Sequence, residues 1–233
     1  MTSVQTIRSE VNTLVFDFDG TLATCPYDFP RMRRAVTRVA ASFGLGAEHF
    51  STESGLLELI ELGIAALADP LQAKEFRTAA LDSLSALEFE AAEHTVLLPG
   101  VLDALTALRG DGYRIGIITR NSSAAVARVI GTVQLPVEFT LCREAVKRPK
   151  PHPEHVQHML RLLKGTPARS LMVGDHPMDV ATGKAAGMFT AAVLTGQSDA
   201  ETLSAAKPDM LLLSVVALAE MLLQEPVEQV ARV

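Results

Sequence analysis

Cysteine is scarce in this chain. Cys25 and Cys142 are the only two in 233 residues, far apart and without a CxxC pair, which argues against a disulfide framework or a cysteine zinc site and fits a reducing compartment. Long apolar runs are missing too. Asp, Arg and Gly interrupt every hydrophobic stretch before the roughly 18 residues that a membrane span needs, so no membrane partner is expected. The opening MTSVQTIRSEVNTLVF has no apolar segment behind a basic start, so no export signal is visible and a cytoplasmic protein is expected. Positive charge is in deficit: 21 Lys+Arg against 27 Asp+Glu leave a net charge of -6, which disfavours binding to a nucleic-acid backbone.

What is present is ordinary globular composition, 48% hydrophobic and 21% charged, in a chain about one and a half times a typical domain, room for a core with an insertion. Thr13 to Phe16 is an apolar run ending in a polar loop, as a buried strand does. From Pro30 to about Ala92 the spacing is helical and rich in Ala, Leu and Glu, with no convincing strand. After Pro99-Gly100 the texture alternates. Helices at 101–108, near 122, at 154–163 and 178–186 separate apolar runs at 115–118, 137–141, 171–173, 190–194 and 210–213. Such alternation predicts an α/β fold, a doubly wound parallel sheet of Rossmann-like type covered on both faces. Sheets of this kind bind ligands beyond the carboxyl ends of their strands, where strand order reverses.

Four carboxylates fall at those ends: Asp17 and Asp19 after the first strand, Asp175 and Asp179 after Leu171 to Val173. Two like charges 4 Å apart repel by about 4 kcal/mol at an effective dielectric of 20, so a positive group must sit among them. An all-oxygen set without cysteine or a clear histidine group suits Mg²⁺. Two readings of Asp175 stay open: a ligand gripping one metal with Asp179, or a cap on the helix that follows. The stretch Lys147-Arg148-Pro149-Lys150-Pro151-His152-Pro153 is either an exposed linker or a proline-fixed mount for a lysine, Lys150 before Lys147, that neutralises a phosphate. His152, His155 and His158 recur every three residues, and their drift around a helix, about 60° per step, argues against a shared metal.

These segments together resemble the haloacid dehalogenase superfamily, specifically its small-molecule phosphatases of the phosphoglycolate phosphatase kind. Asp17-Phe18-Asp19-Gly20-Thr21-Leu22 resembles the first motif, Thr119 the second, Lys150 in Lys-Pro-His-Pro the third, and Gly174-Asp175 with Asp179 the fourth. The resemblance implies a core on residues 1–22 and 96–233 and a helical cap on 23–95. It implies Asp17 as nucleophile forming an aspartyl phosphate, Asp19 as acid and then base, and Thr119 and Lys150 holding the phosphoryl group, with Arg120 and Asn121 at the substrate. Mg²⁺ is implied on Asp17, Asp19 through its backbone carbonyl, Asp175 and Asp179, the last directly or through water.

The carboxylate at Asp19 argues against carbon–halogen hydrolysis, which in this superfamily typically proceeds without one at that place. The expected activity is Mg²⁺-dependent hydrolysis of a small phosphomonoester by a monomer or homodimer. A sugar phosphomutase using the same intermediate and a catalytically idle regulatory module are the alternatives. Within the cap, Arg31, Arg33, Arg34 and Arg38 are candidates for an anionic group on the substrate. Leu56, Leu57, Leu59, Ile60, Leu62 and Ile64 read as bundle core by their helical spacing.

Overall fold

The computed structural model describes residues 4–24, 26–51, 54–131 and 133–224; Cys25 lies outside them. Six strands, β1 (Thr13–Phe16), β2 (Arg114–Ile118), β3 (Phe139–Leu141), β4 (Ser170–Gly174), β5 (Phe189–Val193) and β6 (Met210–Leu212), form one sheet in the order β3-β2-β1-β4-β5-β6. Every pairing is parallel. This is the doubly wound α/β architecture expected from the alternating pattern. The third strand is shorter than the apolar run suggested. The Val137 amide closes a turn on the Leu135 carbonyl, so ladder pairing begins at Phe139.

The helices are α1 (Val4–Glu10), α2 (Phe29–Ser42), α3 (Leu56–Ala66), α4 (Pro70–Ala91), α5 (Val101–Gly110), α6 (Ser123–Ile130), α7 (Glu154–Leu162), α8 (Pro177–Ala185), α9 (Ala200–Ala205) and α10 (Val215–Leu223). None of the described helices is long and apolar enough to cross a membrane. Val15 of β1, Ile118 of β2 and Met172 of β4 pack with Val156, Met159 and Leu160 of α7, all buried. Each such side chain contributes roughly 1.5–3 kcal/mol by leaving water. Cys142 is buried.

The chain divides into two compact units. One comprises Met1–Cys25, Val96–Ser123 and Ile130–Val233 and carries the sheet; the other comprises Pro26–Thr95 with Ala124–Val129. In the helical unit, Asp28 and Asp69 cap α2 and α4, each followed closely by a proline, a preferred helix start. Met32, Val36 and Ala40 on α2 and Phe76, Ala80 and Leu84 on α4 recur every four residues and meet Leu59 and Ile60 of α3 in one core. The expected core stripe on α3 is corrected at one position: Leu62 is 39% exposed, because it lies off the face defined by Leu59, Ile60 and Gly63.

At the point where the helical segment leaves the sheet unit and returns to it, the two chain ends are clasped. Thr24 donates its amide to the Val96 carbonyl at 2.8 Å, and the Val96 amide donates to the Thr24 hydroxyl at 3.0 Å.

Candidate active site

The strand order reverses between β1 and β4, which lie side by side with Phe16 opposite Val173. The residues just beyond both strands therefore meet. The Asp17 amide continues the ladder to the Val173 carbonyl at 2.8 Å. The Phe18 carbonyl then accepts the amides of Leu22 at 2.9 Å and Ala23 at 3.0 Å, winding a tight loop in which Gly20 stands at φ +83°. A side chain at Gly20 is excluded twice over, by that left-handed backbone and by the Asp175 carboxylate, which a Cβ would strike.

Lys150 is 3% exposed and bridges two acids. Its ammonium lies 2.6 Å from Asp17 Oδ1 and 2.8 Å from Asp179 Oδ1. The mount reading of the proline-rich stretch fits this burial; the linker reading does not. Asp17, Asp175 and Asp179 are all buried and each offers an oxygen within 4.8 Å of the others. The expected carboxylate cluster is thus a trio, and the Asp19 side chain belongs to a different set. Asp19 Oδ2 accepts the Thr119 hydroxyl at 3.1 Å, and both its oxygens accept from Asn121 Nδ2 at 3.3 Å.

The cap reading of Asp175 is corrected: His176 caps α8. Its ring accepts the Met178 amide at 3.1 Å, while Asp179 Oδ2 accepts the His176 amide at 3.2 Å, completing a capping box. Asp175 Oδ1 instead accepts the Thr21 hydroxyl at 2.8 Å. Arg120 stands at the same rim with Nη1 3.1 Å from Met178 Sδ. Two of the candidate cap arginines are engaged within the helical unit. Arg31 makes a two-pronged pair with Glu90 at 2.7 and 2.9 Å, and Arg33 donates to the carbonyls of Ser51 and Ser54.

Three carboxylates facing one ammonium in a buried pocket set the electrostatics. Burial lifts Asp17 to about 6 against the lowering charge of Lys150. Burial, reinforced by the charge of Asp17, lifts Asp175 to about 6 as well, and burial raises Asp179 above the usual carboxylate range. Burial pulls Lys150 down, but Asp17 and Asp179 outweigh it and raise it above an ordinary lysine. The ammonium is therefore held charged, while the acids are poised to gain a further cation.

Some residues around this pocket carried no signal in the reading of the sequence. Thr195 donates its hydroxyl to the Gly20 carbonyl at 2.7 Å, and a Cβ on Gly196 would overlap the Asp175 carboxylate. Both follow β5, so the rule that places function just after parallel strands also points to them.

The sequence profile of the family described as "Haloacid dehalogenase-like hydrolase" matches residues 14–193. Among curated proteins, the chain is 29% identical over 230 residues to the plasmid phosphoglycolate phosphatase of Cupriavidus necator, covering 93% of this chain and 95% of that protein. It is also 29% identical over 213 residues to pyrophosphatase PpaX of Bacillus pumilus, covering 88% and 93%. Among solved structures, a haloacid dehalogenase-like hydrolase from Bacteroides fragilis superposes with a TM-score of 0.66 at 24% identity, covering 89% of this chain and 99% of that one.

Proposed function

The chain belongs to the haloacid dehalogenase-like hydrolase family, and from that premise we propose that it hydrolyses a small phosphomonoester, of the phosphoglycolate kind, through an aspartyl phosphate on Asp17. The observation that carries this reading is the joint placement of Asp17, Lys150 and Asp175 at one strand switch point, with Asp19 held separately by Thr119 and Asn121.

The donor set fits a divalent cation. Asp17, Asp175 and Asp179 carry three negative charges against the one positive charge of Lys150, leaving two uncompensated in a buried, all-oxygen pocket, which suits Mg²⁺. Asp17 and Asp175, with the backbone carbonyl of Asp19, would hold the ion. Both oxygens of Asp179 are already engaged, by Lys150 and by the His176 amide, which favours its acting on the ion through water. When bound, the ion supplies charge neutralisation between the acids and the phosphoryl oxygens.

Asp17 attacks phosphorus, and the bond from phosphorus to the leaving oxygen breaks as Asp19, protonated, gives that oxygen its proton. Asp19, now a carboxylate, takes a proton from water. The water oxygen bonds to phosphorus, and the bond to Asp17 breaks to return the carboxylate and free phosphate. Lys150 and Thr119 hold the transferring oxygens, with Arg120 and Asn121 on the substrate side. We assign this core to residues 1–22 and 96–233, substrate selection to the helical insert 23–95, and the site of action to the cytoplasm.

The test is hydrolysis of p-nitrophenyl phosphate and of a metabolite panel that includes phosphoglycolate and pyrophosphate. Activity should need Mg²⁺ and fall by about 10⁴-fold or more in Asp17→Asn, the scale seen on removing a catalytic nucleophile. Inactivity of the wild type across the panel overturns the reading, and turnover of a sugar phosphate without phosphate release reassigns it as a mutase.

A further inference from the structure

The turn after β3 grips the loop after β2 at several points. The Leu141 carbonyl accepts the Thr119 amide at 3.0 Å, and His155 Nε2 lies 3.1 Å from the same oxygen. The Arg143 amide donates to the Asn121 carbonyl at 3.3 Å, and Glu144 accepts the Ser123 amide at 3.2 and 3.4 Å. Among these contacts is a buried cation. Arg143 is 6% exposed, with Nε 3.7 Å from Glu144 Oε1 and Nη1 donating to the Arg120 carbonyl at 3.1 Å. Burying a guanidinium is costly unless its charge and its donors are matched. A loop that needed only to be tethered is served by neutral groups.

The direction of the bonds says what the charge acts on. The peptide between Arg120 and Asn121 is bonded on both sides: its carbonyl accepts from Arg143, and its amide donates to Thr119 Oγ1 at 3.0 Å. The Thr119 hydroxyl, which receives that amide, gives its own proton to Asp19 Oδ2 at 3.1 Å. Asn121 donates from its side chain to both Asp19 oxygens. An unbroken series of hydrogen bonds therefore runs from the guanidinium through one peptide and one hydroxyl to the Asp19 carboxyl. Each bond in such a series polarises and orients the next.

We infer that Arg143 is a positioning residue for phosphoryl transfer, which through the Arg120–Asn121 peptide fixes Thr119 and Asn121 in the orientation that holds the Asp19 carboxyl. It acts through that peptide and not on the reacting atoms, and the inference rests on the phosphatase reading of the site. Removing it loosens the proton-transferring group while leaving Lys150, Asp17 and Asp175 in place, so the chemical step suffers far more than substrate affinity, whose charged anchor Lys150 is unmoved.

The experiment compares wild type, Arg143→Met and Arg143→Lys in steady-state hydrolysis well below their melting temperatures, together with the crystal structure of Arg143→Met. Expected for Arg143→Met is a fall in kcat of about 10- to 100-fold with KM within about threefold of wild type, the penalty of a misplacement near 1 Å. Arg143→Lys, whose ammonium still donates to the Arg120 carbonyl, should recover kcat to within about fivefold of wild type. The Arg143→Met crystal should show Asp19 parted from Thr119 or Asn121. A lowered melting temperature with unchanged kcat, a rise in KM in place of the fall in kcat, or a crystal with Asp19 still bonded to both residues overturns the inference. If Arg143→Met does not fold, Arg143→Gln takes its place under the same criteria. An inactive wild type would instead defeat the phosphatase reading, and the crystal would still decide the role of Arg143.

Discussion

Replacing Asp175 by asparagine should stabilise the metal-free protein at neutral pH while abolishing its response to magnesium. Burial, with the charge of Asp17, lifts the Asp175 carboxyl from 3.8 to about 6. The folded protein thus keeps this proton up to about pH 6, whereas the unfolded chain releases it near 3.8. Between those values the native state binds more protons, so this carboxyl's contribution to stability falls as pH rises through the window and levels off above it. That rise in the carboxyl's pKa costs about 3 kcal/mol at pH 7.5 whenever no cation is bound. Asparagine never ionises, and its Oδ1 still accepts the hydroxyl of Thr21. In EDTA at pH 7.5, Asp175→Asn should therefore melt about 6–12 °C above wild type. At pH 4.5, where the folded wild type is also protonated, the gap should shrink to about 2–4 °C. Saturating Mg²⁺, worth about 2.7 kcal/mol at a hundred times its dissociation constant, should raise the wild type and leave the variant nearly unmoved. His155 runs the other way, since burial holds it down to about 4 and its contribution is lost on acidification, but it is common to both proteins and cancels in the difference. Differential scanning fluorimetry at the two pH values, with and without Mg²⁺, reads all of this. A variant less stable than wild type in EDTA at pH 7.5, or a gap that does not shrink in acid, refutes the electrostatic argument.

Gly196→Ala places a Cβ on the Asp175 carboxylate; activity should fall by about 100-fold through displacement of that side chain, and a wild-type rate in this variant would show that the carboxylate has room to move. Lys150→Gln leaves Asp17 and Asp179 buried without their cation; the metal-free protein should lose about 3–5 kcal/mol at pH 7.5, measured by urea denaturation, and the loss should shrink on acidification, as protonation removes the unpaired charges.

Much of the site was legible because its residues follow apolar runs directly. Asp17, Thr119 and Asp175 each stand just past a strand, and in a parallel sheet that position alone gathers them. Lys150 was legible for a different reason, the prolines on either side of it. The resemblance separated Asp19, as acid and base, from the nucleophile Asp17; what could not be read were the partners that hold each carboxyl. Asp19 lies two residues from Asp17, yet its carboxyl joins Thr119 and Asn121, about a hundred residues away in sequence. Asp175 gave up the capping position to His176 because the Thr21 hydroxyl, 154 residues distant, reaches it. Hydrogen bonds of that range depend on the finished sheet order. Leu62 failed by a simpler route, since helical spacing identifies a stripe but not its width.

The clasp between Thr24 and Val96 bears on heredity as much as on architecture. Because the two ends of the helical excursion are already fastened to one another at the sheet, the entropy of closing the segment between them grows only slowly with its length. Lineages can lengthen, shorten or exchange that segment at little thermodynamic penalty to the strands beneath.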